Sequence, residues 1–402
     1  MKPGKIAYHT GWLIDGTGRS FRQNQVLIVE NGRFVGIQDA SIPLSPNLEV
    51  VDFSDCTALP GLVDSHTHLL MSGSMDPDIR KSQLENTRTL FEKKALMARH
   101  LADYLKSGIF AVREGGDPHG DTLDYKLETA RTSLVTLAAP GRARHAPGRY
   151  GKLIGIPLEP GKIPEQQFFL EKGPQDHVKI VNSGLNSLSR FGVETPPQFS
   201  ADELTFIIAH ARRKGLPVMV HANGKAPVRE AVEAGCTSIE HGFFMGKDNL
   251  RRMADLGVVW VPTAVTMSAY VAYLAEKGDP GDAARADVAR KNLDHQLEQI
   301  RMAGELGVML ATGTDAGSPG VDHGPALKAE IELFVISGMT VEMAIRSASR
   351  QGALLMGLVD RGEITTGMRA DFIVVRSRPH TTPAALCDLV CRVVAGKMIK
   401  EG

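Results

Sequence analysis

Eight short apolar runs alternate with longer amphipathic stretches between residues 59 and 358, and this alternation restricts the possible folds more than any other feature. The runs cover residues 61–69, 108–114, 133–139, 177–183, 216–222, 237–242, 257–263 and 307–315. Apolar strands that alternate with helices are typical of parallel β/α units. Eight such units predict an α/β fold, a (β/α)8 TIM barrel over residues 59–358.

The intervening stretches carry residues that begin and end helices. In SADELTFIIAHARRKG, Ser200 precedes the apolar positions and Glu203 follows three residues later, which is the capping-box pattern. Gly215 stands where a residue in the left-handed conformation would end the helix. We therefore expect a helix between the fourth and fifth strands.

The two ends of the chain have a different pattern, with short β-branched runs separated by turn residues. Examples are NQVLIVENGRFVGIQ, in which Asn31-Gly32 predicts a hairpin turn, and ADFIVVRSR near the other end. Chain termini often lie close together in a domain. We predict that residues 1–58 and 359–402 form one composite β-sandwich domain beside the barrel.

Charge and hydropathy exclude several kinds of partner. The 402 residues include 46 Lys plus Arg and 46 Asp plus Glu, so no net field attracts nucleic acid or an anionic membrane. No apolar run approaches the roughly 20 residues of a membrane span, and the N-terminal stretch lacks the apolar core of a signal peptide. We expect a cytoplasmic protein that acts on a small-molecule substrate. The sequence does not determine its oligomeric state, and a homo-oligomer is one of the possibilities.

Six unusual polar residues stand late in the predicted strands. They are His66 and His68 in the first, Lys179 in the fourth, His221 in the fifth, His241 in the sixth and Asp315 at the end of the eighth. Taken singly, each has an ordinary explanation, such as a hydrogen-bonded buried histidine, an Asx turn or a lysine that reaches solvent. The carboxyl ends of barrel strands meet at one mouth. Because all six would converge there, a metal site is the better explanation.

Several stretches together resemble the metal-dependent amidohydrolase superfamily. They are ALPGLVDSHTHL, HVKIVNSG, VMVHANG, SIEHGFF, LATGTDAGSP and GEITTGMRADFIVV. They occur in the family's order and span essentially the whole chain. Within the superfamily, the chain is similar to imidazolonepropionase-like hydrolases that include prolidase-type, Xaa-Pro dipeptidase-like enzymes.

The resemblance implies a centre with two divalent metal ions, for which zinc is the expected element. For one ion the implied ligands are His66, His68 and Asp315, and for the other His221 and His241. It also implies that Lys179 is carboxylated on its side-chain nitrogen and bridges the two ions. This agrees with its place in DHVKIVNSG, since burial can lower a lysine pKa to about 5–6 and leave a neutral amine that reacts with carbon dioxide.

These assignments predict amide hydrolysis. A hydroxide shared by two metals is a strong nucleophile at neutral pH, because the ions lower the pKa of water. Asp315 would accept its proton and pass it to the leaving amine. The predicted substrate is a carboxamide such as a dipeptide or an N-acyl amino acid, and cyclic amides, lactones or other esters are alternatives on the same site.

Two other functions stay open on the sequence. Deaminases of the superfamily use one metal and place a glutamate three residues after the fifth-strand histidine, where this chain has Gly224. They usually lack the bridging lysine as well, so Gly224 and Lys179 both argue against deamination. Some relatives have lost their ligands and serve as scaffolds, whereas every ligand position is filled here.

Candidate substrate contacts lie in the loops around the predicted mouth. In prolidase-type relatives a tyrosine two residues after the fifth-strand histidine polarises the substrate carbonyl, and here that residue is Asn223. Tyr150 in GRYG is a substitute donor and Arg149 a partner for a substrate carboxylate, although both also suit a solvated loop. Arg113 and His323 complete the predicted contacts, with a structural ion pair as the alternative for Arg113.

The segment 264–290 is longer than an ordinary βα loop. Met267, Tyr270 and Tyr273 recur in it at helical spacing. The stripe predicts a helix that packs on the core, or one that forms a lid or an apolar wall at the mouth.

Overall fold

Strands and helices alternate through the middle of the chain, and both ends are rich in strands. A computed structural model describes residues 4–76, 78, 79, 82, 88–158, 173–376, 378 and 383–399. The strands are β1 (Ile6–Leu13), β2 (Arg22–Glu30), β3 (Arg33–Asp39), β4 (Glu49–Pro60), β5 (Leu62–Thr67), β6 (Ile109–Glu114), β7 (Thr136–Ala138), β8 (Ala143–His145), β9 (Gly155–Pro157), β10 (Val178–Val181), β11 (Val218–Ala222), β12 (Ser238–His241), β13 (Val259–Val261), β14 (Phe372–Val375), β15 (Leu389–Val394) and β16 (Lys397–Met398). The helices are α1 (Leu90–Lys106), α2 (Asp121–Thr129), α3 (Ala201–Arg213), α4 (Lys225–Glu233), α5 (Lys247–Leu256), α6 (Val265–Lys277), α7 (Ala283–Leu306), α8 (Pro325–Ile336), α9 (Val341–Arg346) and α10 (Gly352–Leu355).

Both ends of the chain contribute to one seven-stranded sheet, in the order β16-β15-β14-β4-β1-β2-β3. β1 and β4 are parallel, and the other neighbouring strands are antiparallel. The predicted hairpin turn is confirmed, since Asn31 and Gly32 join β2 to β3 with φ of 52° and 77°. The sandwich arrangement and the domain boundaries stay predictions.

The middle of the chain forms two parallel sheets, β13-β12-β11-β10-β8-β9 and β5-β6-β7. Each of the first seven predicted runs contains one of these strands, and β8 and β9 are additional short strands. The eighth run is different, because it forms only a bridge between Leu310 and Trp260. Its backbone still contacts both sheets: Ala311 N donates to Trp260 O, and Ser65 N donates to Thr312 O, each at 3.0 Å.

The end of the eighth run turns toward the first strand. The N–H groups of Thr314 and Asp315 both donate to the carbonyl oxygen of His66, at 3.1 and 2.7 Å. A Cβ on Gly313 would lie 2.8 Å from the Cβ of His66, so only glycine allows this approach. The run therefore makes few ladder bonds, and Asp315 is placed beside His66.

Helix α3 has the ends that its sequence predicts. Ser200 Oγ accepts from Glu203 N, and Ser200 N donates to the Glu203 carboxylate, which completes the capping box. Gly215 follows the helix with φ of 72°. Leu204 and Ile207 are buried on the inner face. None of the helices in the described ranges is long and apolar enough to cross a bilayer.

The long segment after β13 is helical, as its apolar stripe predicts. It forms α6, a 3-10 turn and the start of α7, and α6 packs against α7. Met267 is buried, and the rings of Tyr270 and Tyr273 stack with centroids 6.4 Å apart. A role as a lid stays a prediction.

Candidate functional site

One cavity of about 310 Å³ is lined by the polar residues that were predicted to cluster at the strand ends. All six predicted metal ligands line it: His66, His68, Lys179, His221, His241 and Asp315. The histidines and Lys179 lie on, or directly after, strands that run parallel to their neighbours, so the carboxyl ends of these strands meet at one side of the sheets, and Asp315 reaches that side from the eighth run. The structure therefore brings together every residue of the predicted ligand set.

His66, His68 and Asp315 form a compact group within this cavity. The Nε2 atoms of His66 and His68 lie 3.4 and 3.3 Å from Asp315 Oδ1. One ligand atom from each residue lies within 4.8 Å of the other two. Two imidazole nitrogens and a carboxylate oxygen at this spacing can surround one divalent ion.

A buried carboxylate orients His66. His66 Nδ1 donates to Glu240 Oε2 at 2.7 Å, so Nε2 is the nitrogen that faces Asp315. Glu240 Oε1 accepts from Ser238 Oγ at 2.5 Å and lies 3.5 Å from Arg113 Nη1. Arg113, predicted as a substrate contact or a structural ion pair, has a fully buried guanidinium beside Glu240 and does not line the cavity, which agrees with the ion pair. A histidine held by a carboxylate in this way is typical of metal sites.

His68 lies between two carboxylates. Its Nδ1 donates to Gly116 O at 3.3 Å and is 3.7 Å from Glu114 Oε1, and its Nε2 faces Asp315. Burial opposes protonation of the ring, but Asp315 and Glu114 outweigh this and raise the pKa of His68 to about 9. The surroundings of His68 therefore favour a positive charge at this point, which a metal ion would supply.

His221 and His241 stand side by side at the ends of β11 and β12, with ring centroids 4.6 Å apart. His221 Nε2 donates to Gly184 O at 3.2 Å, and His241 Nδ1 shares a hydrogen bond of 2.7 Å with Thr263 Oγ1. In each ring the other nitrogen can then bind a metal ion. His241 and Thr263 have φ of 67° and 49°, a left-handed conformation that is uncommon outside glycine and clusters at functional sites.

Lys179 lies on β10 with only 1% of its surface exposed. Its Nζ has no hydrogen-bond partner among the described residues. Burial lowers the pKa of Lys179 from 10.5 to about 8, although Glu240 and Asp315 partly oppose the shift. The side chain lines the same cavity as the four histidines.

Asp315 closes the site from the eighth run. Its Oδ1 faces the histidines of the first strand, and its Oδ2 accepts from Ser318 Oγ at 2.8 Å. Burial alone would raise its pKa, but His68 and the other histidines hold the pKa of Asp315 well below its usual range. Its φ of 55° is a further left-handed backbone position at the site, beside those of His241 and Thr263.

The donor set fits divalent metal ions. Burial lowers the pKa of His66 and His221 well below the ordinary value, and that of His241 to about 3, so these rings are neutral and can act as ligands. Within the described ranges, His66 Nε2 and Lys179 Nζ are buried polar atoms without a hydrogen-bond partner. Such atoms are uncommon in folded proteins and call for an ion or a further group.

Comparison with known proteins places the chain in a family. Residues 57–399 match the amidohydrolase family. The chain belongs to the amidohydrolase family. The family match and the named relatives indicate a hydrolase that acts on carbon–nitrogen bonds.

Proteins similar to this amidohydrolase are named after several different activities. An imidazolonepropionase of Streptomyces griseus subsp. griseus is 25% identical over an alignment of 403 positions that covers 92% of this chain and 90% of that protein. Ochratoxinase of Aspergillus niger is 29% identical over 204 residues, which are 50% of this chain but only 41% of ochratoxinase. A solved Xaa-Pro dipeptidase with bound methionine in its active site superposes with a TM-score of 0.80 at 25% identity, covering 99% of this chain and 100% of that one.

Two of the predicted substrate contacts of this amidohydrolase line the cavity. Tyr150 lies beside His221, with ring centroids 5.4 Å apart. Asn223 also lines the cavity, but its amide bonds to backbone: Oδ1 accepts from Phe243 N at 3.0 Å, and Nδ2 lies 3.3 Å from Gly184 O. Tyr150 therefore remains the better candidate for a substrate contact, while Asn223 holds two loops.

The other two predicted contacts, Arg149 and His323, do not line the cavity. Arg149 Nη2 donates to Pro196 O at 3.2 Å, and the side chain does not line the cavity. His323 is buried behind the first strand, where its Nε2 donates to His68 O at 3.2 Å and its ring stacks on His100. The structure therefore places Arg149 beside a loop carbonyl and His323 beside the backbone of a predicted ligand, and neither side chain lines the cavity.

Sequence reasoning missed the groups that support the histidines and Asp315. Glu240, Thr263 and Ser318 each hydrogen-bond to a predicted ligand. The signal for Glu240 was its place in SIEH, because an acid inside a buried strand needs a partner. Thr263 and Ser318 have no comparable signal.

Gly224 stands where one-metal deaminases carry a glutamate. Its φ is 89°, and a Cβ there would lie 2.9 Å from Glu194 Oε2. Glu194 in turn accepts from Lys225 N at 2.7 Å, which holds the start of α4. A side chain at this position would be strained and crowded, so the local backbone suits glycine and not a proton-transferring glutamate.

Proposed function

We propose that this amidohydrolase cleaves carboxamide bonds with two divalent metal ions that share a carboxylated Lys179. The observation that carries the proposal is the Lys179 Nζ, which is buried, has no hydrogen-bond partner among the described residues and lies in the cavity with four histidines and Asp315. A buried ammonium without a partner is costly. Reaction of the neutral amine with carbon dioxide forms an N–C bond, releases one proton and yields an anionic carbamate, which two cations would balance.

The residues that would hold the metals form two groups. His66, His68 and Asp315 would bind one ion, His221 and His241 the other, and the Lys179 carbamate both. Zinc is the expected element, because imidazole and carboxylate ligands suit it. When bound, the ions would lower the pKa of water and polarise the substrate carbonyl.

The protein's own groups would then position the substrate and move the proton. Asp315 Oδ1 faces the predicted centre, so this carboxylate would accept the proton of the attacking water and deliver it to the leaving nitrogen. Ser318 Oγ holds the other oxygen of Asp315 and limits its rotation. Tyr150, at the side of the cavity near His221, would donate a hydrogen bond to the substrate carbonyl.

We also propose that the parallel sheets close into the predicted (β/α)8 barrel. The supporting contacts are those of the eighth run, which bonds to Trp260 on one side and to Ser65 on the other. Between the third and fourth strands, Asp176 N donates to Ala139 O at 3.1 Å. Closure would explain why residues so distant in sequence reach one cavity.

The test compares Lys179→Ala with Lys106→Ala, a surface control. Lys179→Ala should lose bound metal, measured by elemental analysis, and its turnover should fall on the order of 1,000-fold. The metal-free wild-type protein should need bicarbonate for full reconstitution, and carbon-13 bicarbonate should label a carbamate visible by NMR. A folded Lys179→Ala protein that binds two ions and works normally would contradict the bridging role.

A screen of the metal-loaded protein would define the reaction. Dipeptides, N-acyl amino acids, simple anilides, cyclic amides, lactones and esters should be compared at equal concentration. Cleavage of at least one carboxamide is expected. Hydrolysis confined to lactones or esters would favour the alternative reaction on the same site, and the absence of bound metal would favour a scaffold.

A further inference from the structure

The part of the cavity lining outside the six predicted ligands, here called the rim, is mostly apolar. Its apolar side chains are Met71, Leu153, Ile154, Leu185, Leu188, Phe243, Met267 and Tyr270, and its polar ones include Asn186, Asn223, Thr266 and Ser318. Leu185 is 58% exposed and Leu188 is 39% exposed, although both face the cavity. Large apolar side chains left open around one cavity mark a surface that a ligand covers.

This rim is held in place by hydrogen bonds. The loop that carries Leu185 and Leu188 is fixed by Asn223 Nδ2, 3.3 Å from Gly184 O, and by Asn292 Nδ2, 3.2 Å from Ser187 O. A wall fixed in this way can select a substrate, because it does not need to be ordered on binding.

The helical side of the rim is anchored by a buried acid. Glu330 on α8 accepts from Ala264 N at 3.1 Å and from Val265 N at 2.7 Å, at the start of α6. Helix α6 carries Met267 and Tyr270 into the cavity. Both halves of the apolar rim are therefore built before a substrate arrives.

The cavity offers little to a substrate carboxylate. Among the described residues that line it, Lys179 is the only lysine or arginine, and the proposed function assigns its nitrogen to the metal centre. Arg113 is paired with Glu240, and neither Arg113 nor Arg149 lines the cavity. A carboxylate that entered would lose water without gaining a cationic partner from these residues.

A neighbouring cavity is the competing anchor for a carboxylate. It shares His68, Met71 and Leu153 with the active-site cavity, and its lining includes the cations Arg88, Lys93 and Lys152. Lys93 is already paired with Asp121 at 2.6 Å. The same lining contains Glu114 and Asp117, so the charge there is mixed.

We infer that the substrate is an uncharged amide with a bulky apolar group, held between the loop at Leu185 and Leu188 and the helix at Met267 and Tyr270. The inference rests on the proposed function and narrows its substrate class. It departs from the expectation of a dipeptide or an N-acyl amino acid, whose free carboxylate would require a cation at the site.

Two anilides of phenylacetic acid would test the inference. One carries a 4-acetyl group on the aniline ring, and the other carries a 4-carboxylate at the same place, so the two differ mainly in charge. The kcat/KM of the metal-loaded enzyme should favour the acetyl compound by at least about 10-fold, because the carboxylate is desolvated without a partner.

A matched pair of variants would locate the effect. Leu188→Arg adds a cation to the rim and should move the preference toward the carboxylate by about 10-fold. Leu256→Arg adds the same charge at an exposed position that does not line the cavity and should leave the ratio unchanged.

The outcomes separate this inference from the proposed function. Equal or faster cleavage of the carboxylate by the wild type would overturn the inference and point to Arg88 and Lys152, while amide hydrolysis would stand. Cleavage of N-acyl amino acids without cleavage of either anilide would overturn it as well. Failure of the metal-loaded enzyme to cleave any amide in the screen would overturn the proposed function and, with it, the inference.

Discussion

The floor and the rim of the active-site cavity are built on different principles. The floor consists of the histidines and Lys179 from the strands and Asp315 from the eighth run, and several of them are held by buried partners such as Glu240. The rim consists of apolar side chains from a loop and from α6, and several of these are open to solvent. We interpret the floor as the part that determines the chemistry and the rim as the part that determines which molecule reaches it.

This difference matters because the two parts should fail in different ways. A change in the floor should alter bound metal and turnover for every substrate. A change in the rim should alter KM for some substrates and leave the metal in place.

The sharpest test of the floor is Glu240→Gln. The amide keeps the size of the side chain but removes the negative charge that accepts from His66 Nδ1 at 2.7 Å. Metal affinity and turnover should both fall by about 10- to 100-fold. Glu276→Gln on the surface of α6 is the control. Unchanged metal affinity in Glu240→Gln would show that the charge of Glu240 does not tune the site.

Glu330, which anchors the helical side of the rim, should make the stability of the folded protein depend on pH. Burial raises the pKa of Glu330 from 4.5 to about 8, even though two backbone N–H groups oppose the shift. The folded protein then binds more protons than the unfolded chain between these pH values. This contribution to stability is therefore largest at low pH and is lost as pH rises toward 8, at about 1 kcal/mol per pH unit.

Glu330→Gln should remove this slope. The measurement is the free energy of unfolding from pH 5 to pH 8, with Glu332→Gln on the same helix as the control. The quantity to compare is the slope of the free energy of unfolding against pH. Its absolute value is less informative, because the amide also changes the contacts at the start of α6 and so shifts stability at every pH. A slope that persists in Glu330→Gln would assign the titration to another group.

Much of the floor could be predicted from the sequence. The two-residue period of a strand places His66 and His68 on one face, and the parallel order of the strands brings the later strand ends to the same side. Glu240 was missed, although its strand was predicted, because its pairing with His66 depends on which strands face each other. The spacing of residues along the sequence does not give the distance between Glu240 and His66 in the fold.

The rim could not be predicted in the same way. Leu185 and Leu188 lie in a loop without periodicity, so nothing in their spacing tells whether they face the cavity, the core or solvent. Arg149 was predicted to face the substrate from its place after the third strand, and a single carbonyl, that of Pro196, directs it elsewhere. Loop side chains depend on local contacts of this kind, whereas strand side chains follow the pleat.

The rim can be tested separately with Leu188→Ala. The change removes apolar contact area but no charged or metal-binding group. KM for an apolar amide should rise about 3- to 10-fold with kcat unchanged, because the lost contact is made equally in the ground and transition states. Leu256→Ala should change neither constant. A fall in bound metal in Leu188→Ala would show that floor and rim are not separable.

The smallest effect on catalysis should come from a helix end away from the cavity. Ser200 begins α3 with a capping box that was predictable from SADE, and it does not line the cavity. Ser200→Ala removes the oxygen that accepts from Glu203 N and should lower the free energy of unfolding by about 1 kcal/mol, while Ser200→Asp keeps an acceptor and should preserve stability. Bound metal, kcat and KM should be unchanged in both variants. If Ser200→Ala altered KM, the loop that precedes α3, which also carries Leu185 and Leu188, would transmit helix stability to the rim, and the rim could no longer be treated as an independent wall.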